Sequence, residues 1–181
     1  MAAGDGLVIM TPTSIAHAGT SASINADGGV DFTAVTSLSL NGVFTSAHDN
    51  YLIVIRYVAA SGDPRTRLRL RTAGTDASGS NYVRQVVDAN GGSVTGARAT
   101  ESAATIGEFS ATQRSGETVH MYGPFLAQPT AMRNVNSGGF TSARLTDNAC
   151  THSLSTSYDG FTFYPESSDM TGNIVVFGYE E

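Results

Sequence analysis

Apolar and polar positions alternate along much of this chain, in short runs separated by glycine-rich breaks. The clearest run covers residues 66–72, where Leu68 and Leu70 fall on one side and Arg67, Arg69 and Arg71 on the other. A period of two places one face of a strand in a core and leaves the other polar. A continuous apolar run at residues 51–58 precedes it, joined through the turn Ser61-Gly62-Asp63-Pro64. A third run begins at Tyr82 after a Gly/Ser/Asp loop. Residues 51–87 are therefore expected to supply three strands of one antiparallel sheet.

The same reading extends to both ends. Ala26-Asp27-Gly28-Gly29 lies between alternating residues 20–25 and 30–35, the pattern of a β-hairpin. Residues 7–10, 36–40, 105–111, 140–145 and 151–157 read as further strands. Residues 118–126 form another, interrupted at Gly123-Pro124, where proline points to a bulge or an edge. Residues 158–165 alternate, with Phe161 and Phe163 on one side, and residues 173–179 close the chain strongly. Residues 93–104 carry only one large apolar group, Val94, and are expected to form a long loop. Residues 114–117 read as a turn and 130–136 as irregular. The total is about ten strands and no helix beyond a turn or two, an all-β chain built as a sandwich or barrel. One domain over residues 7–181 follows a flexible N-terminal arm, residues 1–6.

Composition narrows the functional classes. Charged residues are 14% of the chain and the net charge is −6, which argues against a nucleic-acid backbone or an anionic membrane surface as partner. No apolar run approaches the length of a membrane-spanning helix, and no signal-peptide pattern opens the chain. There is no lysine; the ten cationic side chains are all arginine, a fork suited to carboxylates and interfaces, and codon bias in a GC-rich genome accounts for the choice equally well. Cys150 is the only cysteine, so it forms no intrachain disulfide, and it reads as a small apolar filler.

Candidate chemistry is sparse. Nucleophile-elbow, zinc-protease, P-loop and dinucleotide motifs are absent. His17, His48, His120 and His152 have no partner at metal-ligand spacing. Asp76-Ala77-Ser78-Gly79-Ser80-Asn81 lacks the acidic alternation of a calcium loop and reads as a turn. Glu101, Glu108 and Glu117 are expected in or near loops, with nothing to join them as a catalytic pair. No catalytic residue, metal ligand or cofactor site is therefore expected. The aromatic groups remain: Tyr122, Tyr158 and Tyr164 are candidates for stacking on a sugar, although packing explains most rings more simply. Arg67, Arg69 and Arg71 would repel one another if bare, and are expected to meet carboxylates within the sheet or across a subunit contact.

Several motifs occur in a familiar order. Val43-Phe44-Thr45-Ser46 and Asp49-Asn50-Tyr51 precede the apolar and RLRLR strands. Ala73-Gly74-Thr75-Asp76, Ser80-Asn81-Tyr82 and Gln85 follow. Tyr158-Asp159-Gly160-Phe161, Phe163-Tyr164-Pro165, Thr171-Gly172-Asn173-Ile174 and Gly178-Tyr179 lie near the end. Over residues 43–89 and 158–179 the chain resembles virion accessory proteins of tailed bacteriophages, of the minor-tail, tail-fibre and head-decoration type. The resemblance implies a jelly-roll-like β-sandwich, commonly trimeric and without catalytic residues. It implies a structural protein of the head or tail surface, with other virion proteins and further copies of itself as partners. A carbohydrate-binding module, or the receptor-binding tip of a tail fibre touching a host surface glycan, is the alternative.

Overall fold

The computed structural model describes residues 6–108, 113–138 and 144–180. These form fourteen strands and no helix. In chain order they are β1 (Leu7–Ile9), β2 (Ser14–Ile24), β3 (Val30–Asn41), β4 (Asn50–Ala59), β5 (Arg65–Thr72), β6 (Thr75–Asp76) and β7 (Tyr82–Asn90). Then come β8 (Ser93–Glu101), β9 (Ala104–Glu108), β10 (Ser115–Tyr122), β11 (Thr130–Gly138), β12 (Arg144–His152), β13 (Gly160–Pro165) and β14 (Met170–Tyr179). The expected arm coincides with residues 1–5, outside the described residues, and Gly6.

All pairing is antiparallel; it follows the path β6-β5-β13-β3-β14-β4-β10-β11-β12-β7-β8, with β1 on β14, β2 on β3 and β9 on β5 as branches off it. The path curls over at β3. The first half of β3 pairs with β14 (Val30 opposite Ile174), and the second half pairs with β13 (Leu40 opposite Phe161). A smaller layer, β6-β5-β13 with β9 beside β5, thereby lies over a larger one running from β14 to β8. The result is an antiparallel, jelly-roll-like β-sandwich.

Alternation fills the space between the layers. Tyr51, Ile53 and Ile55 of β4 face Leu68 and Leu70 of β5 and Phe161 and Phe163 of β13, and all are essentially inaccessible. The Tyr57 and Phe163 ring centroids lie 5.8 Å apart, and those of Phe44 and Phe161 5.9 Å. Each side chain of this size contributes about 1.5–3 kcal/mol on burial. The Asp27-Gly28-Gly29 turn does close a hairpin. Gly28 takes φ +90°, and Asp27 Oδ1 accepts from the Gly29 N–H at 3.2 Å.

Several expectations are corrected. β4, β5 and β7 do not pair with one another: β4 lies between β14 and β10, β5 between β13 and β9, and β7 between β12 and β8. Residues 93–101 are strand β8, not a loop, and residues 130–138 are strand β11. Ser115 to Glu117 belong to β10, while residues 153–157 are not strand. Parts of two expected strands, residues 109–111 and 140–143, lie outside the described residues.

Candidate functional site

Register on the smaller layer gathers the arginines. Arg67 lies opposite Tyr164, Arg69 opposite Thr162, and Thr162 in turn opposite Ser39. Leu68, Leu70, Phe161 and Phe163 turn inward, so the arginines, Thr162 and Tyr164 share the outer face.

Each guanidinium is engaged within the chain. Arg67 Nε donates to Glu166 Oε1 at 2.7 Å, and its Nη1 donates to Glu101 Oε2 at 2.9 Å. Arg84 Nε reaches the same Glu101 oxygen at 2.8 Å. Burial acts to raise the Glu101 carboxyl, but the hydrogen bond from Arg84 and the charges of Arg67 and Arg84 outweigh it, so its pKa lies below the usual carboxylate value. Arg71 bonds Asp76, Gly74 O, Ser39, Asn41 and Thr162 together. Arg69 has a different environment. Its Nε donates to Ser102 O at 3.1 Å, and its Cζ lies 5.1 Å from the centroid of the Tyr164 ring. That distance permits a cation–π contact.

Beside this network is an open hollow of about 550 Å³, lined by Arg67, Glu101, Ser102, Ala103, Tyr164 and Glu166. It holds an aromatic ring, a planar donor and two carboxylates. Burial raises the Tyr164 hydroxyl above its ordinary pKa, against the opposing effect of Arg69 and Arg67, so it remains a neutral donor at physiological pH.

The three candidate tyrosines do not form one platform. Tyr158 is 1% exposed and offers no ring face to a ligand; its hydroxyl lies 3.1 Å from His152 Nδ1 inside the core. Tyr122 is 44% exposed on β10, on the other layer from Tyr164. It stands in a row of near-parallel rings with His120 and Tyr179, at centroid spacings of 6.4 Å and 6.4 Å. The alternation of His120 and Tyr122 was visible in the sequence, but Tyr179 joins them only through strand order.

No protein-family model matches the chain, and no curated protein matches it. Among solved structures, the chain is similar to the C-terminal CBM6 of LamC, a marine laminarinase from Zobellia galactanivorans, at 14% identity and a TM-score of 0.36. That alignment covers 95% of this chain and 98% of the other. It is also similar to the Caenorhabditis elegans galectin LEC-6, at 13% identity and a TM-score of 0.36, over 81% of this chain and 94% of that one. Neither likeness assigns a role to any residue here. The architecture rests on the strand pairing itself, and the bacteriophage resemblance rests on the motifs quoted above.

One ionisable cluster escaped the sequence reading. Glu117 is not a loop residue; it is buried in β10 among Tyr57, Thr66 and Asn136. Burial pushes its carboxyl up to about 7, against the pull of hydrogen bonds from Thr66 and Tyr57. Perturbed carboxyls often mark active sites, but Glu117 is 3% exposed and substrate has no access to it. Among the described residues, no group of three His, Cys, Asp or Glu side chains is arranged to hold a metal ion.

Proposed function

We propose that this chain is a carbohydrate-recognition domain without catalytic chemistry, serving as a receptor-reading part of a tailed-bacteriophage particle. The observation that carries the sugar reading is the hollow beside Tyr164. Sugars are held by a ring that covers their C–H face and by fixed planar groups that meet their hydroxyls. Tyr164 provides the ring, Arg67 the Nη2 hydrogen that its bonds to Glu166, Glu101 and Thr105 leave over, and Glu101 and Glu166 the acceptors. The arginine–carboxylate bonds hold these groups in place before any ligand arrives, which lowers the entropy lost on binding. No cofactor enters this reading. The phage setting is motivated by the sequence motifs, and a host surface glycan is the matching target.

The experiment is a glycan array, followed by titration calorimetry on any hit. The expected result is saturable binding that weakens at least tenfold in Tyr164→Ala, while circular dichroism stays unchanged. An array without hits, or a hit indifferent to Tyr164, would overturn the reading.

A second reading, a structural accessory or decoration protein of the phage head or tail, is favoured by a different surface. Val54, Val87 and Leu145 are 37%, 51% and 51% exposed on the outer face of the larger layer. A partner protein would cover such groups well. Mass spectrometry of purified particles tests it: stoichiometric presence without glycan binding supports this reading, and absence from particles sinks it.

A further inference from the structure

We infer that β2 is a self-association edge, which pairs with β2 of a second copy of this chain. Within the described residues β2 hydrogen-bonds only to β3, along one of its two edges. The opposite edge presents the backbone of an eleven-residue strand, and nine of its eleven residues are exposed. An unpaired edge is a template for another strand, and monomeric proteins guard such edges with lysine, proline or inward-pointing charge. β2 has none of these. Residues 7–26 contain no Asp, Glu, Lys or Arg at all, and His17 is their only titratable side chain. The one protective feature is the bulge between Ala18 and Gly19, which divides the edge and leaves Thr20 to Ile24 as a regular segment beyond it.

Charge selects the occupant. Each copy carries a net charge of −6, so two copies repel unless they meet where neither is charged. The β8 edge is a poor counterpart for an uncharged strand, because it carries Arg98 and Glu101. The same strand from another copy is also uncharged, and two identical antiparallel edges pair about a two-fold axis that covers both copies' β2 edges in one contact. Apolar groups flank the segment and add area to such a contact. Ile24 is 38% exposed at its end, and Leu7 and Ile9 of β1 are 41% and 40% exposed. Ile9 Cγ2 lies 2.8 Å from where a Cβ on Gly28 would stand, so β1 borders the turn that follows β2. This proposal does not depend on the glycan reading and predicts a dimer, whereas the bacteriophage resemblance implies a trimer.

Sedimentation velocity across a concentration series tests it. The wild-type chain should sediment as a dimer, and Ser21→Lys/Ser23→Lys, which adds two charges per copy at exposed positions, should weaken association at least tenfold. The thermal midpoint extrapolated to monomer should stay unchanged, since neither serine is buried. Thr95→Lys on the β8 edge should remain dimeric. A wild-type monomer or trimer, or a double-lysine variant that still dimerises with wild-type affinity, would overturn the proposal.

Discussion

Thr66 Oγ1 on the smaller layer lies 2.5 Å from Glu117 Oε1 on the larger one, so a buried carboxyl and a hydroxyl join the two layers through the core. Tyr57 and Asn136 donate to the same oxygen, and Glu117 Oε2 has no hydrogen-bond partner among the described residues. Burial raises the folded-state pKa to about 7, from an ordinary value of 4.5. The folded chain therefore keeps this proton at pH values where the unfolded chain has lost it. The associated stability is fully present below about pH 4.5 and is lost as pH rises through about 7, a span of about 3 kcal/mol. Glu117→Gln should remove that slope. Denaturant unfolding at pH 5 and pH 8 measures it, and equal slopes in both proteins would refute the assignment. His152 acts in the opposite direction. Burial lowers its pKa, so its stability is present above the unfolded value and declines as pH falls through the folded one. Comparing variant with wild type cancels that contribution.

The Arg71 guanidinium should be irreplaceable by lysine. Its Nη1 lies 3.0 Å from Ser39 Oγ and 2.7 Å from Thr162 Oγ1, and its Nε lies 3.1 Å from Asn41 Oδ1, while it also pairs with Asp76. An ammonium on a flexible stem cannot reach all of these groups at once. Arg71→Lys is expected to lose about 2 kcal/mol of unfolding free energy, because partly buried acceptors lose their donor. Chemical denaturation reads the loss, and a change under about 0.5 kcal/mol would show the network to be dispensable.

The strands with strong alternation were legible because their side chains report on burial. Leu68 and Leu70 against the arginines, and Phe161 with Phe163, fixed which face turned inward. β8 was not legible, since an outer strand is held by backbone pairing to β7 and needs no apolar period. Strand order was hidden for a related reason: pairing is non-local, so residues 51–87 look like neighbours but are dispersed over both layers. The site depends on that order. Arg67 meets Glu101 and Glu166 at sequence separations of 34 and 99, which no local pattern encodes. Tyr158 looked like a surface ring because its flanking residues are polar, yet its hydroxyl is accommodated inside by His152.

Cys150 should be inert in the folded protein. It is 3% exposed on β12, and burial, reinforced by Glu101 and opposed by Arg84, pushes its thiol up to about 12. The thiolate is the reactive species, and a pKa of about 12 in place of the ordinary 9.0 cuts its fraction at neutral pH about a thousandfold. Ellman's reagent at neutral pH should titrate no thiol in the native chain and one in denaturant. Rapid native labelling would contradict the buried placement.

The bulge where β3 passes between layers carries opposite expectations at two neighbouring residues. Ala34 takes φ +46°, a left-handed conformation that costs a residue with a Cβ roughly 1–2 kcal/mol. Ala34→Gly should therefore stabilise the fold, by about 0.5–1 kcal/mol once the greater freedom of glycine in the unfolded chain is set against the strain relieved. Across the bulge, Gly19 takes φ +120°, and a Cβ there would stand 2.2 Å from Ala34 O. That contact is with backbone and no rotamer relieves it, so Gly19→Ala should destabilise by more than 2 kcal/mol or displace the end of β2. Unfolding curves for both variants give the two signs. If Ala34→Gly destabilises, the left-handed backbone at the crossover is not what limits stability there.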